Sequence, residues 1–194
     1  MGAALPMALG MELAHPELAR KIVAVEGDST FLHSGMTGLL DLVYNGSTAL
    51  VMILDNSITA MTGHQPNPAS GSHLDNSQAP QVNLPNLCKA LGVPRVRTVD
   101  PYDLKELENA VRQELEATEL SVIVVERPCV LLPQVPKGRH SVNPEACRGC
   151  TLCTRIGCPA LSFSDKKSSI VPELCVGCGV CQQLCNFGAI NKEV

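Results

Sequence analysis

The sequence predicts an α/β domain built on a parallel sheet, followed by a smaller α+β domain organised by cysteine. Three observations carry the prediction. Short, nearly all-apolar segments at 21–25, 49–54 and 121–126 alternate with stretches of helical apolar spacing, and strands apolar on both faces belong inside a parallel sheet covered by helices. Eight of the ten cysteines fall within 147–185. A proline-rich stretch between the two regions reads as a linker at 129–142, which puts the first domain at 1–128 and the second at 143–194.

Residues 2–14 place Leu5, Ala8, Leu9, Met11 and Leu13 on one helical stripe, closed by His15-Pro16. The first strand, 21–25, ends at Glu26-Gly27-Asp28. A helix is predicted from about Ser34 to 44, with Leu39, Leu40, Leu42 and Val43 inward, and Asn45-Gly46 turns the chain into a second strand at 49–54. This is a βαβ unit. Residues 65–85, rich in Pro, Asn, Ser and Gly, read as a long surface loop of the kind that carries function or lacks order. A short helix at 86–91, a strand at Arg95–Val99, an amphipathic helix at 103–119 and a buried strand at Ser121–Glu126 follow. Lys137, Arg139 and His140 give the linker a basic trio.

Composition bounds the function. With 45% apolar residues, a formal net charge of -4 and no Lys/Arg run, the chain is a globular protein that does not track phosphate backbones. No Trp, two Tyr and three Phe leave no stacking platform for bases, so no nucleic-acid partner is expected. No apolar stretch approaches the ~20 residues that span a bilayer, and Glu12, His15 and Glu17 interrupt the only apolar opening, so neither a membrane nor secretion is expected. The expectation is a cytoplasmic protein with reduced thiols, in which clustered cysteines serve something other than disulfides.

Cys147, Cys150 and Cys153 are spaced C-x2-C-x2-C, and Cys175, Cys178 and Cys181 repeat them at a constant offset of 28 residues; Cys185 follows Cys158 by 27. Such a run turns three thiolates to one side of a tight loop, which matches three corners of an iron–sulfur cubane. In two-cluster ferredoxins the fourth cysteine of each run ligates the other cluster. That assigns Cys147, Cys150, Cys153 and Cys185 to one [4Fe-4S] cluster and Cys175, Cys178, Cys181 and Cys158 to a second. A pair of zinc sites is the alternative, although zinc ribbons use paired C-x2-C knuckles. Gly149, Gly177 and Gly179 would let backbone N–H groups approach the sulfurs. Cys88 and Cys129 stand apart and read as small buried hydrophobes.

Gly27-Asp28-Ser29 follows one strand and Asn56 follows the next. In a βαβ unit, residues just past the carboxyl ends of two parallel strands sit side by side in the crevice where α/β sheets bind ligands. Asp28 and Asn56 would face one ion there, and with the carbonyl of Ile58 they make a hard oxygen shell suited to Mg²⁺ held with a diphosphate. The N-terminus of the helix near Ser34 would favour the anion. The plain alternative is that Asp28 caps one turn and Asn56 starts another.

The stretches Gly2-Ala3-Ala4-x-Pro6-Met7-Ala8-x-Gly10, Gly27-Asp28-Ser29 and Asp55-Asn56-x-x-Thr59-Ala60-Met61-Thr62-Gly63-His64-Gln65-Pro66 resemble the thiamine-diphosphate-binding domain of 2-oxoacid:ferredoxin oxidoreductases. Residues 143–194 resemble the bacterial two-cluster ferredoxin domain. Two departures stand out: Cys153 and Cys158 have four residues between them where that run has three, and Asn186 follows Cys185 where that run has Pro. The two together look like the C-terminal part of an indolepyruvate:ferredoxin oxidoreductase alpha subunit. The resemblance implies that Asp28, Asn56 and the Ile58 carbonyl bind Mg²⁺, that Gly27 and Ser29 approach the diphosphate, and that Gly63, His64 and Gln65 near the cofactor. Ser29 stands where the wider family has Gly.

The implied cofactors are thiamine diphosphate, Mg²⁺ and two [4Fe-4S] clusters. The implied reaction is the oxidative decarboxylation of an aryl pyruvate to an acyl-coenzyme A, with electrons leaving singly to ferredoxin. A smaller gamma- or beta-type subunit would be a partner. The family's pyrimidine-binding domain, whose Glu activates the cofactor, has no counterpart here, and no residue of this chain is expected to act as a catalytic acid or base. The expectation is therefore a fragment inactive alone, completed by the N-terminal part of the alpha subunit. Two rival readings are a stand-alone electron carrier with a remnant α/β docking domain, and a component acting on pyruvate or another 2-oxoacid.

Overall fold

The computed structural model describes residues 1–133, 135 and 138–193. The chain divides into two compact units, Met1–Cys129 and Val130–Val194.

The first unit is a four-stranded, all-parallel sheet of order β1-β2-β4-β3, with β1 at Val23–Gly27, β2 at Leu50–Asp55, β3 at Arg95–Val99 and β4 at Ser121–Glu126. The central strand β4 is buried from Ser121 through Val125, as a strand covered on both faces must be. Strand β1, expected inside the sheet, is an edge strand here: its residues alternate, and Val23 and Val25 are 40% and 47% exposed.

Helices α1 (Ala4–Ala14), α3 (Met36–Tyr44) and α4 (Leu84–Ala90) pack one face of the sheet, where Leu5, Leu39, Leu42, Val51, Ile53, Val122 and Val124 form the main core. Helix α5 (Leu104–Glu116) covers the other face over β3 and β4, against Leu50, Val99, Ile123 and Val125. Glu114, 2% exposed, ties this helix to the sheet: Arg95 donates to it from Nε at 2.7 Å, Arg97 from Nη1 at 3.3 Å, and the Ser121 hydroxyl at 2.8 Å.

Several boundaries differ from the sequence reading for local reasons. Gly2 lies at φ +75°, so α1 starts at Ala4. The helix expected from Ser34 begins six residues earlier, as α2 (Asp28–Thr30) running through a π turn (Phe31–Gly35) into α3. Helix α4 starts at Leu84 because Asn83 caps it, accepting the Asn86 N–H at 2.8 Å, with Pro85 in the first turn. Helix α5 is capped by Asp103 and stops at Glu116, where Ala117 turns extended.

The second unit contains two antiparallel strand pairs, one long-range and one a hairpin. Strand β5 (His140–Val142) pairs antiparallel with β8 (Ile190–Lys192), and β6 (Leu161–Ser164) with β7 (Lys167–Ile170). Residues 140–142 were expected in the linker. They are instead the first strand of this unit, and His140 is 4% exposed; Lys137 of the basic trio lies outside the described residues. Among the described residues the main buried cluster is Cys153, Cys181 and Ile190, with Val142, Leu161, Ile170 and Cys185 against it, and Cys147, Ala160 and Ala189 are buried nearby in sequence. No helix among the described residues is long and apolar enough to cross a membrane.

Candidate functional site

In the first unit the chemistry-bearing residues meet at the carboxyl ends of β1 and β2. Gly27 pairs with Leu54, so the register sets Asp28 opposite Asp55 and Asn56 one step beyond. Asp28 is 4% exposed and accepts a hydrogen bond from Asn67 Nδ2 at 3.0 Å. Burial pushes the Asp55 carboxyl up, against a Ser57 N–H that lowers it; the charges of Asp28 and Glu126 and a hydrogen bond shared with Asp28 raise it further. Two carboxylates held this close repel unless a proton or a cation sits between them. Asn56 Oδ1 accepts the Ile58 N–H at 3.1 Å, and its carbonyl accepts the Cys129 N–H at 2.9 Å. This is a set of hard oxygen donors with excess negative charge, and it fits Mg²⁺.

Gly27 caps α2 without a side chain of its own, and no atom lies within 4 Å of the place a Cβ on it would take. The backbone at the start of α2 is therefore open beside Gly27, and the unpaired N–H groups of a helix start suit an anion such as a diphosphate. Because the helix begins at Asp28, Ser29 lies in that first turn. Ile58 is buried. Gly63 and His64 stand exposed on a turn that closes on itself, with the Thr59 N–H donating to the Gln65 carbonyl at 2.9 Å and Gln65 Nε2 to that of Thr62 at 2.7 Å.

Asp55 and Asn67 were not singled out in the sequence. Strand register points to Asp55, since the pair after Gly27 and Leu54 is Asp28 and Asp55. Asn67 carried no signal, because it reaches Asp28 from within the 65–85 loop. Glu26 is buried on the α1 side of β1, where burial raises its pKa against the N–H of Ala4. Cys88 is buried, and its thiol is pushed up to about 12 by burial. Cys129 is only half-buried, beside Asn56.

In the second unit the eight remaining cysteines line two cavities. One is bordered by Cys147, Cys150, Cys153 and Cys185, the other by Cys158, Cys175, Cys178 and Cys181. Each cavity thus takes three cysteines from one run and the fourth from the other. Burial pushes the Cys181 thiol up to about 11, helped by the charges of Cys178, Cys158 and Cys175 around it. Backbone N–H groups of Ser168 and Gly149 hold the Cys147 thiol below its ordinary value, and the Ala189 N–H donates to Cys185 Sγ at 3.3 Å. Gly149, Gly177 and Gly179 all have φ between +70° and +74°. Among the described residues no three His, Cys, Asp or Glu side chains converge on a single-ion site, whereas a cubane needs its four thiolates spread over the corners of a larger cavity.

The family model for the C-terminal TPP-binding domain of thiamine pyrophosphate enzymes matches residues 1–125, and that for the 4Fe-4S binding domain matches residues 169–191. The chain is similar to the indolepyruvate oxidoreductase subunit IorA of Pyrococcus horikoshii, 39% identical over 97% of this chain and 31% of that protein, and to that of Archaeoglobus fulgidus, 37% identical over 98% and 31%. It spans about a third of the length of the curated relatives it matches. Among solved structures it resembles a 2-oxoglutarate:ferredoxin oxidoreductase from Magnetococcus marinus, with a TM-score of 0.60 and 17% identity over 69% of this chain and 47% of that one, a likeness of fold. By the match over its first 125 residues, the chain belongs to the thiamine pyrophosphate enzymes, whose C-terminal TPP-binding domain it carries ahead of a 4Fe-4S binding domain.

Proposed function

We propose that the chain is the diphosphate-anchoring and electron-relay part of a 2-oxoacid:ferredoxin oxidoreductase acting on indolepyruvate or a related aryl pyruvate. The observation that carries this reading is the pairing of a carboxylate-lined crevice at the ends of β1 and β2 with two cavities that share their cysteines crosswise. When bound, thiamine diphosphate supplies the electron sink for decarboxylating a 2-oxoacid, and the cubanes take up the electrons one at a time.

The residues of this chain have distinct tasks in that scheme. Asp28 and Asn56, with the Ile58 carbonyl, hold Mg²⁺, and Asp55 adds negative charge beside them. Gly27, Ser29 and the first turn of α2 receive the diphosphate, and Asn67 orients the Asp28 carboxylate. Gly63 borders the cofactor from the following loop. Cys147, Cys150, Cys153 and Cys185 hold one cubane and Cys158, Cys175, Cys178 and Cys181 the other. The carboxylate that would activate the cofactor's aminopyrimidine belongs to the rest of the alpha subunit, and general acid–base catalysis works only within hydrogen-bond reach.

The partners that follow are that N-terminal part, a smaller gamma- or beta-type subunit, coenzyme A and a ferredoxin. Two oxidised cubanes at about −2 each, thiolates included, would take the formal charge from -4 to about −8, which favours a ferredoxin with a basic or mixed docking face. Reduced thiols and iron–sulfur chemistry support a cytoplasmic location for the assembly. The test is reconstitution. The chain, loaded with iron and sulfide and combined with the N-terminal segment of a relative and its partner subunit, should turn over indolepyruvate with coenzyme A and ferredoxin. Full turnover by the chain alone would refute the division of labour.

A further inference from the structure

We propose that His140 donates a hydrogen bond from Nδ1 to the cubane held by Cys158, Cys175, Cys178 and Cys181, and so raises the potential of that cluster alone. The inference rests on the cluster assignment above and adds a residue to it. His140 is 4% exposed, and its side chain is the one polar group other than cysteine among the described residues lining that cavity. The rest of the wall is apolar, including Ile156, Leu161, Ile170 and Leu174. Strand β5 holds the residue in place by pairing it with Lys192.

The imidazole has one partner and one orphan. Nε2 lies 3.2 Å from Gln182 Oε1, while Nδ1 is buried with no hydrogen-bond partner among the described residues. A buried polar nitrogen is costly unless something accepts its proton, and the cavity beside it is the place for an acceptor. With Gln182 Oε1 as its partner Nε2 donates, and a proton on Nδ1 as well makes the ring an imidazolium; the Gln182 amide turned end for end gives instead the neutral tautomer with its proton on Nδ1. In either form Nδ1–H faces cluster sulfide or thiolate. One-electron reduction takes such a cubane, thiolates included, from about −2 to about −3. A fixed donor stabilises the more negative state, so it favours the reduced cluster.

The first cavity is built differently. Its sulfurs meet backbone N–H groups, of Ser168 and Gly149 at Cys147 and of Ala189 at Cys185, and the Ser168 hydroxyl 3.3 Å from Cys153 Sγ, and no histidine among the described residues lines it. The ring donor is thus peculiar to the second cavity among the described residues, which is why only that cluster should respond to its loss.

The experiment uses the full chain reconstituted anaerobically with iron and sulfide, with each cluster followed by electron paramagnetic resonance during a redox titration. Cys185→Ala identifies which signal belongs to which site. His140→Phe keeps the ring and removes both nitrogens. At a fixed ambient potential it should lower the reduced-to-oxidised ratio of the Cys158/Cys175/Cys178/Cys181 cluster about tenfold, or ~59 mV for a one-electron couple, and leave the other unmoved. His140→Asn, which retains an N–H, should fall between Phe and wild type. An unmoved potential, or an equal shift of both clusters, would overturn the proposal. Should His140→Phe fail to load, hyperfine spectroscopy of the wild-type chain with ¹⁵N-histidine decides instead: the reduced cluster must show coupling to a ring nitrogen and its exchangeable proton, and absence of both sinks the idea. Chains that take up no iron or sulfide would show that the cluster assignment itself is wrong, and the inference falls with it.

Discussion

Replacing Gly149 by alanine should dismantle the first cysteine loop, because two separate penalties meet at that position. Gly149 has φ +70°, where an L side chain costs about 1–2 kcal/mol. Its new Cβ would lie 3.3 Å from the Lys166 carbonyl carbon and nearer still to the oxygen, so backbone must move. That backbone is the tip of the β6–β7 hairpin, already held at positive φ through Asp165 and Lys166 and tied down by Lys167 Nζ, which donates to the Cys147 carbonyl at 2.7 Å. Forcing an atom into packed surroundings costs about 1–3 kcal/mol more, giving about 2–5 kcal/mol in all. Gly157→Ala is the control. It has φ +66° with nothing within 4 Å of its Cβ, and so carries only the first cost. Iron and sulfide per chain after anaerobic reconstitution, and the urea dependence of the sulfide-to-iron absorbance, should show Gly149→Ala losing the Cys147/Cys150/Cys153/Cys185 cluster at markedly lower urea while Gly157→Ala stays near wild type. Equal behaviour of the two variants would refute the reasoning, since their shared φ would then explain everything and the hairpin contact nothing.

Three further outcomes are expected. Wild-type chain should bind about eight iron and eight sulfide, as two cubanes require, and chemical analysis finding two zinc and no sulfide would return the cysteines to zinc chemistry. Thiamine diphosphate binding, measured by calorimetry, should depend on Mg²⁺ and be weakened most by Asp28→Ala, with Asn56→Ala costing less because it removes a neutral ligand; binding indifferent to Asp28 would make the motif a turn and nothing more. In Glu114, burial works to raise the pKa, but the hydrogen bonds from Arg95 and Ser121 and the charges of Arg95 and Arg97 outweigh it and hold the carboxylate below its ordinary 4.5. A depressed folded pKa means the stabilisation is complete above about 4.5 and disappears as pH falls through the lower folded value. Glu114→Gln should therefore cost about 1–3 kcal/mol at neutral pH, the arginines being part-exposed and able to rehydrate, and should flatten the acid limb of a urea-midpoint-against-pH curve; an unchanged acid limb would show that Glu114 carries none of it.

How far the sequence could be read depended on whether the signal was local. The C-x2-C-x2-C runs are covalent spacing, so three members of each quartet could be written down before any strand was placed, the fourth following the pattern of two-cluster ferredoxins, and the two cavities are lined by those same quartets. The parallel sheet was legible for a similar reason: buried strands such as β4 must be apolar along their length. Long-range partnership was not legible. His140 read as one basic residue in a linker, because nothing in its neighbours announces that β5 pairs with β8 some fifty residues on and turns the imidazole into a cluster cavity. Asn67 was invisible for the same reason. Asp55 lay in between: it sits beside Asn56 in the motif, but its role follows from register, because a parallel pairing of Gly27 with Leu54 makes Asp28 and Asp55 the next opposed pair. The same step shows why Asp55 belongs in any account of this crevice. A shell of Asp28, Asn56 and one carbonyl carries a single negative charge, whereas the register adds a second carboxylate whose repulsion a divalent cation would relieve.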